Sequence, residues 1–163
     1  MDEQSKQISD ASPSSLAHLV GAKHIIAQVR TAIDAAFEDN TKFDDALLVG
    51  PAGLGKSQLA SVIAQEMATD YHEVLGQSIK GIGDLNFLLM GAKDKDVIHI
   101  DECHELDKQF QTALYLAVDK RTIFVNSSKR CPEPIPISQF SLLLSTTDEY
   151  ELLAPLRDRM KLL

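Results

Sequence analysis

Residues Gly50-Pro51-Ala52-Gly53-Leu54-Gly55-Lys56-Ser57 match the spacing G-x-x-x-x-G-K-[ST] in full. No other feature constrains the fold as strongly, because this run needs a strand before it and a helix after it. Both are legible. Ala46-Leu47-Leu48-Val49 is a short apolar run that reads as a buried strand. Gln58-Leu59-Ala60-Ser61-Val62-Ile63-Ala64 is a good helix former with apolar residues at helical spacing. Strand, glycine loop and helix together predict a site for a nucleoside triphosphate.

The chemistry follows from the residue types. Glycines at 50, 53 and 55 let the backbone turn tightly and bring its N–H groups near an anion. A helix opening near Lys56 adds the positive end of its dipole. Lys56 suits the β- and γ-phosphates, and the Ser57 hydroxyl suits Mg²⁺. The candidate nucleotide-binding set is Gly50, Pro51, Ala52, Gly53, Leu54, Gly55, Lys56 and Ser57, with Leu59 from the helix behind the loop. The bland alternative is a glycine turn that happens to precede a lysine. The flanking strand and helix argue against it.

The 163 residues suit one domain with a real core. Hydrophobic residues are 44% and charged residues 25%, as in a soluble globular chain. No apolar run approaches the ~20 residues needed to cross a bilayer, so no membrane partner is expected. Met1 to Gln7 has neither the basic start nor the apolar stretch of a signal peptide. Two cysteines, Cys103 and Cys131, imply no disulfide framework and read as packing residues; a cytoplasmic, reducing setting is expected. With 16 basic against 24 acidic residues the net charge is −8. That argues against strong duplex-DNA binding by this domain alone.

Residues 1–15 are polar and serine-rich and read as a mobile tail, leaving 16–163 as the folded core. Leu16 to Phe37 fits one or two helices interrupted near Gly21. The first strand is expected at 45–50 and its helix at 56–69. Tyr71 to Leu75 reads as a strand, Gly81-Ile82-Gly83 as a turn before a short helix Asp84 to Met90, and 96–101 as a strand. Lys108 to Val118 is helical, with Phe110, Ala113, Leu114 and Ala117 on one face. Arg121 to Val125 is β-rich. Lys129-Arg130 makes a basic tip, and Cys131 to Pro136 returns as an extended edge. Phe140 to Leu144 reads as a buried strand, and Met160 to Leu163 as the start of another. Alternating strands and helices predict a three-layer α/β sheet, mostly parallel.

Asp101-Glu102 closes the apolar run Val97-Ile98-His99-Ile100. Sites in parallel sheets form at the carboxyl ends of strands. Asp101 is the expected Mg²⁺ partner of Ser57, and Glu102 the group that orients and activates water. A solvated pair of acids at a strand end is the plain alternative. A zinc site from Cys103, His104 and Cys131 is disfavoured, with three ligands and no C-x₂-C spacing. A two-lobed helicase reading of Asp-Glu-Cys-His finds no room for a second lobe.

Leu153-Ala154-Pro155-Leu156-Arg157-Asp158-Arg159, with Leu143-Leu144-Ser145-Thr146-Thr147 upstream, resembles the sensor and arginine-finger segment of AAA+ ATPases. More narrowly it resembles the RuvB branch-migration motors. Leu48 to Ser57, Gly83-Asp84-Leu85, Ile100 to Leu106, Leu114-Tyr115 and the Pro-Leu-Arg-Asp-Arg run agree in order, from about Leu16 onward. The resemblance implies an AAA+ P-loop core that binds and hydrolyses ATP with Mg²⁺. It implies Lys56, Glu102, Thr147 and Arg159 as the catalytic set. Thr147 would sense the γ-phosphate, with Thr146 as the alternative. Arg159, or else Arg157, would reach a neighbouring subunit's ATP within a homo-oligomeric ring. The plain readings are a strand-end hydroxyl bonded to backbone, and a surface ion pair of Arg159 with Asp158 or Glu151. The segment 121–137 stands where the family carries a hairpin for its junction-binding partner.

The chain departs from the family at Asp148, where an Arg is usual after the threonines, and at Met160-Lys161, where Phe-Gly is usual. The family's helical lid and DNA-binding winged helix are absent. A fragment of a longer polypeptide, or a diverged relative without direct DNA engagement, would both account for this. A chain ending within a core strand favours the fragment, with DNA contacted mainly through the missing domains. The rival functions are a clamp-loader or protein-remodelling ATPase, and a nucleotide-dependent adaptor without motor work.

Overall fold

The computed structural model describes residues 13–125 and 131–163. Helix α1 (Lys23–Glu38) precedes strand β1 (Ala46–Val49), α2 (Lys56–Glu66), β2 (Tyr71–Leu75), α3 (Ile82–Gly91) and β3 (Val97–Asp101). Then come α4 (Lys108–Lys120), β4 (Thr122–Val125), β5 (Glu133–Pro136), β6 (Ser141–Thr146), the short α5 (Ala154–Arg157) and β7 (Lys161–Leu162).

The main sheet has the order β2-β3-β6-β1-β7, and every neighbouring pair is parallel. Its registers sort the side chains into two faces, because alternate residues of a strand point to opposite sides. Ala46, Leu48, Val97 and Leu143 lie on one face and pack with Val29, Ile33, Ala36, Ala60, Val62, Ile63 and Ala64 of α1 and α2. Leu47, Ile98, Ile100, Leu142 and Leu144 lie on the other, against Leu85, Leu89, Phe110, Leu114 and Leu156 of α3, α4 and α5. This is the expected three-layer α/β architecture. All of β6 is buried, as befits a strand central in the sheet and covered on both faces.

Several elements differ in detail from the sequence expectation. The break near Gly21 is real. A single 3₁₀ turn, Leu16–His18, is capped by Ser15, and α1 starts only after Gly21 and Ala22 take positive φ. Helix α2 stops at Glu66 rather than 69. Helix α3 starts at Ile82, so Gly83 lies inside it; the Asp84 carboxylate accepts the N–H groups of Lys80 and Gly81 at 3.0 Å and fixes the start there. Strands β4 and β5 form the separate antiparallel hairpin, with Pro134 and Pro136 in its second strand. The basic tip Lys129-Arg130 and most of the expected tail, residues 1–12, lie outside the described residues. Cys103 is buried, but Cys131 is exposed beside β5 and does not pack, a correction to its expected role.

Candidate nucleotide site

The loop between β1 and α2 turns on two glycines. Gly53 and Gly55 have φ of +82° and +77°, the left-handed region that side-chain-bearing residues avoid. Gly55 is also the N-cap of α2. The first helical bond runs from Leu59 N–H to Gly55 O, so the amides of Lys56, Ser57 and Gln58 precede it and lie at the positive end of the helix. The Gly50 N–H donates to Thr146 O at 3.2 Å, and Gly50 serves the loop through its carbonyl. Lys56 Nζ donates to Gly50 O at 2.7 Å and Pro51 O at 2.9 Å. The ammonium is thus folded over the loop, with a third hydrogen left to donate.

The sheet brings the acidic strand end to this loop. Ser57 Oγ donates to Asp101 Oδ2 at 2.9 Å, joining the helix start to the end of β3. Asp101 Oδ1 accepts Ser145 Oγ–H at 2.5 Å and the Glu102 N–H at 3.0 Å. Burial pushes the Asp101 carboxyl up, but the bonds from Ser145, Ser57 and the Glu102 amide outweigh it and hold the group below its ordinary value. An ionised carboxylate beside a hydroxyl is a hard, oxygen-only donor set that fits Mg²⁺, and the loop amides with Lys56 fit a polyphosphate.

Glu102 has positive φ, +49°. A Cβ on Gly76 would lie 2.6 Å from Glu102 O, so only glycine permits this close approach of two backbones. Glu102 Oε2 sits 3.4 Å from His104 Nδ1. The same ring nitrogen lies 2.9 Å from Thr146 Oγ1, which also accepts the Asp148 N–H at 3.0 Å. Of the two threonines at the end of β6, Thr146 is buried and shares His104 with Glu102, while Thr147 is exposed.

Arg159 lies elsewhere. Lys161 is in register with Ala46, so β7 begins at the amino end of the sheet, opposite the loop that follows Val49. Arg159 lies two residues before β7. Its Nε donates to Asp119 Oδ1 at 3.1 Å, its Nη1 to Pro155 O at 2.8 Å, and its Cζ stands 5.0 Å over the Tyr115 ring. The ion pair is with Asp119, not Asp158 or Glu151. Arg157 instead approaches Asp158 at 3.9 Å and the Tyr150 ring.

Two clefts meet at the loop. One, of about 570 Å³, is lined by Gly53, Lys56, Ser57, Asp101 and Glu102 and contains the donors a polyphosphate needs. The other, of about 420 Å³, is lined by Leu19, Ile25, Ile26, Leu54, Leu59 and Leu163 and offers an apolar recess of the kind a nucleobase needs. Lys56, Gly55 and Gln58 border both. Leu59 is in the candidate binding set; Leu19, Ile25 and Ile26 join it here, and their apolar spacing does not distinguish them from ordinary helix positions. Ser145 and the fully buried His99, whose Nε2 lies 2.8 Å from Ser145 Oγ, also belong to the site without being part of its sequence motifs. A signal existed: His99 and Asp101 share strand parity, so two polar side chains fall on one buried face. Burial pushes the His99 pKa down, against the raising influence of Asp101 and Glu73.

Residues 11–163 match the family model described as the Holliday junction DNA helicase RuvB P-loop domain. The RuvB branch migration subunit of Trichormus variabilis is 35% identical over 167 residues, covering 100% of this chain and 45% of that protein. Its counterpart in Ehrlichia ruminantium is 33% identical over 150 residues, covering 90% and 45%. The solved Thermotoga maritima RuvB branch migration motor superposes with a TM-score of 0.81 at 33% identity, covering 93% of this chain and 47% of that one. A point mutant of the same motor gives 0.85 at 33% identity, covering 93% and 48%. The chain spans less than half the length of the curated relatives it matches.

Proposed function

This chain belongs to the Holliday junction DNA helicase RuvB P-loop domain family, and from that premise we propose that it binds ATP with Mg²⁺ and hydrolyses it as the motor domain of a RuvB-like protein serving Holliday junction branch migration in DNA recombination and repair. The observation that carries this reading is the 2.9 Å contact between Ser57 Oγ and Asp101 Oδ2, with Lys56 folded over the same loop. The amides at the start of α2 and Lys56 hold the phosphates, and Ser57 with Asp101 holds the cation. A Mg²⁺ ion held there would neutralise charge on the transferring phosphoryl group. Glu102 orients and deprotonates the attacking water. At the end of β6, Thr147 is the sensor that the resemblance implies. The burial of Thr146 and its link through His104 to Glu102 favour Thr146 for that role.

Arg159 acts on the ATP of the next subunit in a ring. Its position at the end of the sheet opposite the loop supports a role in trans. An always-charged guanidinium with several donors suits that task. The β4–β5 hairpin docks a junction-binding partner protein. DNA is contacted mainly by other parts of a longer polypeptide, because a net charge of −8 gives this domain little pull on phosphate backbones. A reducing cytoplasm suits the free thiols of Cys103 and Cys131. The test is ATP binding by calorimetry. Lys56→Ala should abolish it; an unchanged affinity would refute the site.

A further inference from the structure

Across the face of the sheet that α2 covers runs a polar stripe inside an otherwise apolar layer. Tyr71 of β2, His99 of β3 and Ser145 of β6 lead to Asp101. The Tyr71 hydroxyl lies 2.8 Å from His99 Nδ1, and His99 Nε2 lies 2.8 Å from Ser145 Oγ. His99 and Ser145 have no solvent exposure, while Glu73, 3.3 Å from His99 Nδ1, is at the open edge.

The direction of the bonds is determined from the acid end. An ionised Asp101 only accepts, so the single Ser145 hydrogen points to Oδ1. Ser145 Oγ must then receive its own hydrogen bond from His99 Nε2–H. That donation holds whether or not Nδ1 carries a proton. In the neutral ring, Nδ1 is an acceptor, and the Tyr71 hydroxyl, which also reaches Glu73, is the donor beside it. With Oδ1 occupied by Ser145 and the Glu102 amide, Oδ2 is the oxygen turned to Ser57.

We propose that His99 is a positioning residue of the cation site: its Nε2–H locks the Ser145 hydroxyl as a donor to Asp101 Oδ1 and so holds Oδ2 beside Ser57, where Mg²⁺ is taken. The inference rests on the ATP–Mg²⁺ reading of the site. Partners that orient a ligating carboxylate are commonly worth about 10- to 100-fold in metal affinity.

ATP affinity of the full chain, measured by calorimetry with Mg²⁺ and again with EDTA, tests it. Ser145→Ala should lower the Mg²⁺-dependent gain in affinity about tenfold, and His99→Phe should lower it in the same direction by less. Neither should change affinity in EDTA. His99→Gln should restore the gain, because its amide can donate to Ser145 while its oxygen accepts from Tyr71. In a Ser145→Ala background His99→Phe should add nothing. Equal losses with and without Mg²⁺, or no loss in either variant, would overturn the proposal. If His99→Phe fails to fold, Ser145→Ala and His99→Gln decide it alone. Wild-type protein that shows no Mg²⁺-dependent ATP binding would instead sink the parent reading of the site, and this inference with it.

Discussion

Two variants, each inactive alone, should restore one another if Arg159 serves its neighbour. Glu102→Gln removes the proposed base for water but keeps the proposed finger. Arg159→Ala keeps its own carboxylates but offers no finger. The structure separates these groups by the length of β1: Lys161 is level with Ala46, while the loop starts after Val49, about 13 Å further along the strand axis. Arg159 is moreover turned onto Asp119 and Tyr115 of α4. The half-exposed ion pair with Asp119 is worth only about 0.5 kcal/mol, so Arg159→Ala should fold normally. Its hydrolysis should nonetheless fall by about 10³ or more. In a random equal mixture about half the sites keep Glu102, and about half of those face a subunit that keeps Arg159, so about one quarter of the wild-type rate returns. The assay is phosphate release at fixed total protein across mixing ratios, with assembly followed by light scattering. The rate should peak at equal proportions. If every ratio gives only the sum of the two baselines while mixed assemblies form, the trans reading is refuted.

Other outcomes follow from burial and charge. Leu114→Ala empties a fully buried position between α4 and the sheet and should cost about 2–5 kcal/mol in chemical denaturation. Phe87→Ala, 83% exposed on α3, should stay within about 0.5 kcal/mol of wild type. Because the folded Asp101 pKa lies below its unfolded value, its ionised form stabilises the fold above that unfolded value. The benefit is lost as pH falls through the folded pKa. The stability difference between wild type and Asp101→Asn, measured by urea denaturation, should therefore shrink on going from neutral pH to below about pH 4. A difference that grows on acidification would contradict the hydrogen-bonding pattern around Asp101.

Much of the fold was legible because its signals are local. Ala46 to Val49, Val97 to Asp101 and Phe140 to Leu144 are apolar runs of strand length, and each became a strand within a residue or two. The loop demanded its own flanks. Helix ends were less legible, since α2 ends three residues early and α3 begins two residues early. Both depend on backbone hydrogen bonds such as those to Asp84, which periodicity does not encode. Pairing was legible only where the loop pattern implies it, as for Ser57 with Asp101. Nothing in the order of residues says that Asp101 stands beside Ser145, or that His99 meets both Tyr71 and Ser145.

The linear order of residues, then, determined the phosphate loop, the acid-tipped strand and the alternation that makes a layered sheet, because glycine conformation and apolar spacing act over a few neighbours. Tertiary structure decided which hydroxyls reach Asp101, which threonine shares His104 with Glu102 and which end of the sheet carries Arg159. These depend on parallel register between strands far apart in the chain, where a shift of one residue turns every side chain to the opposite face.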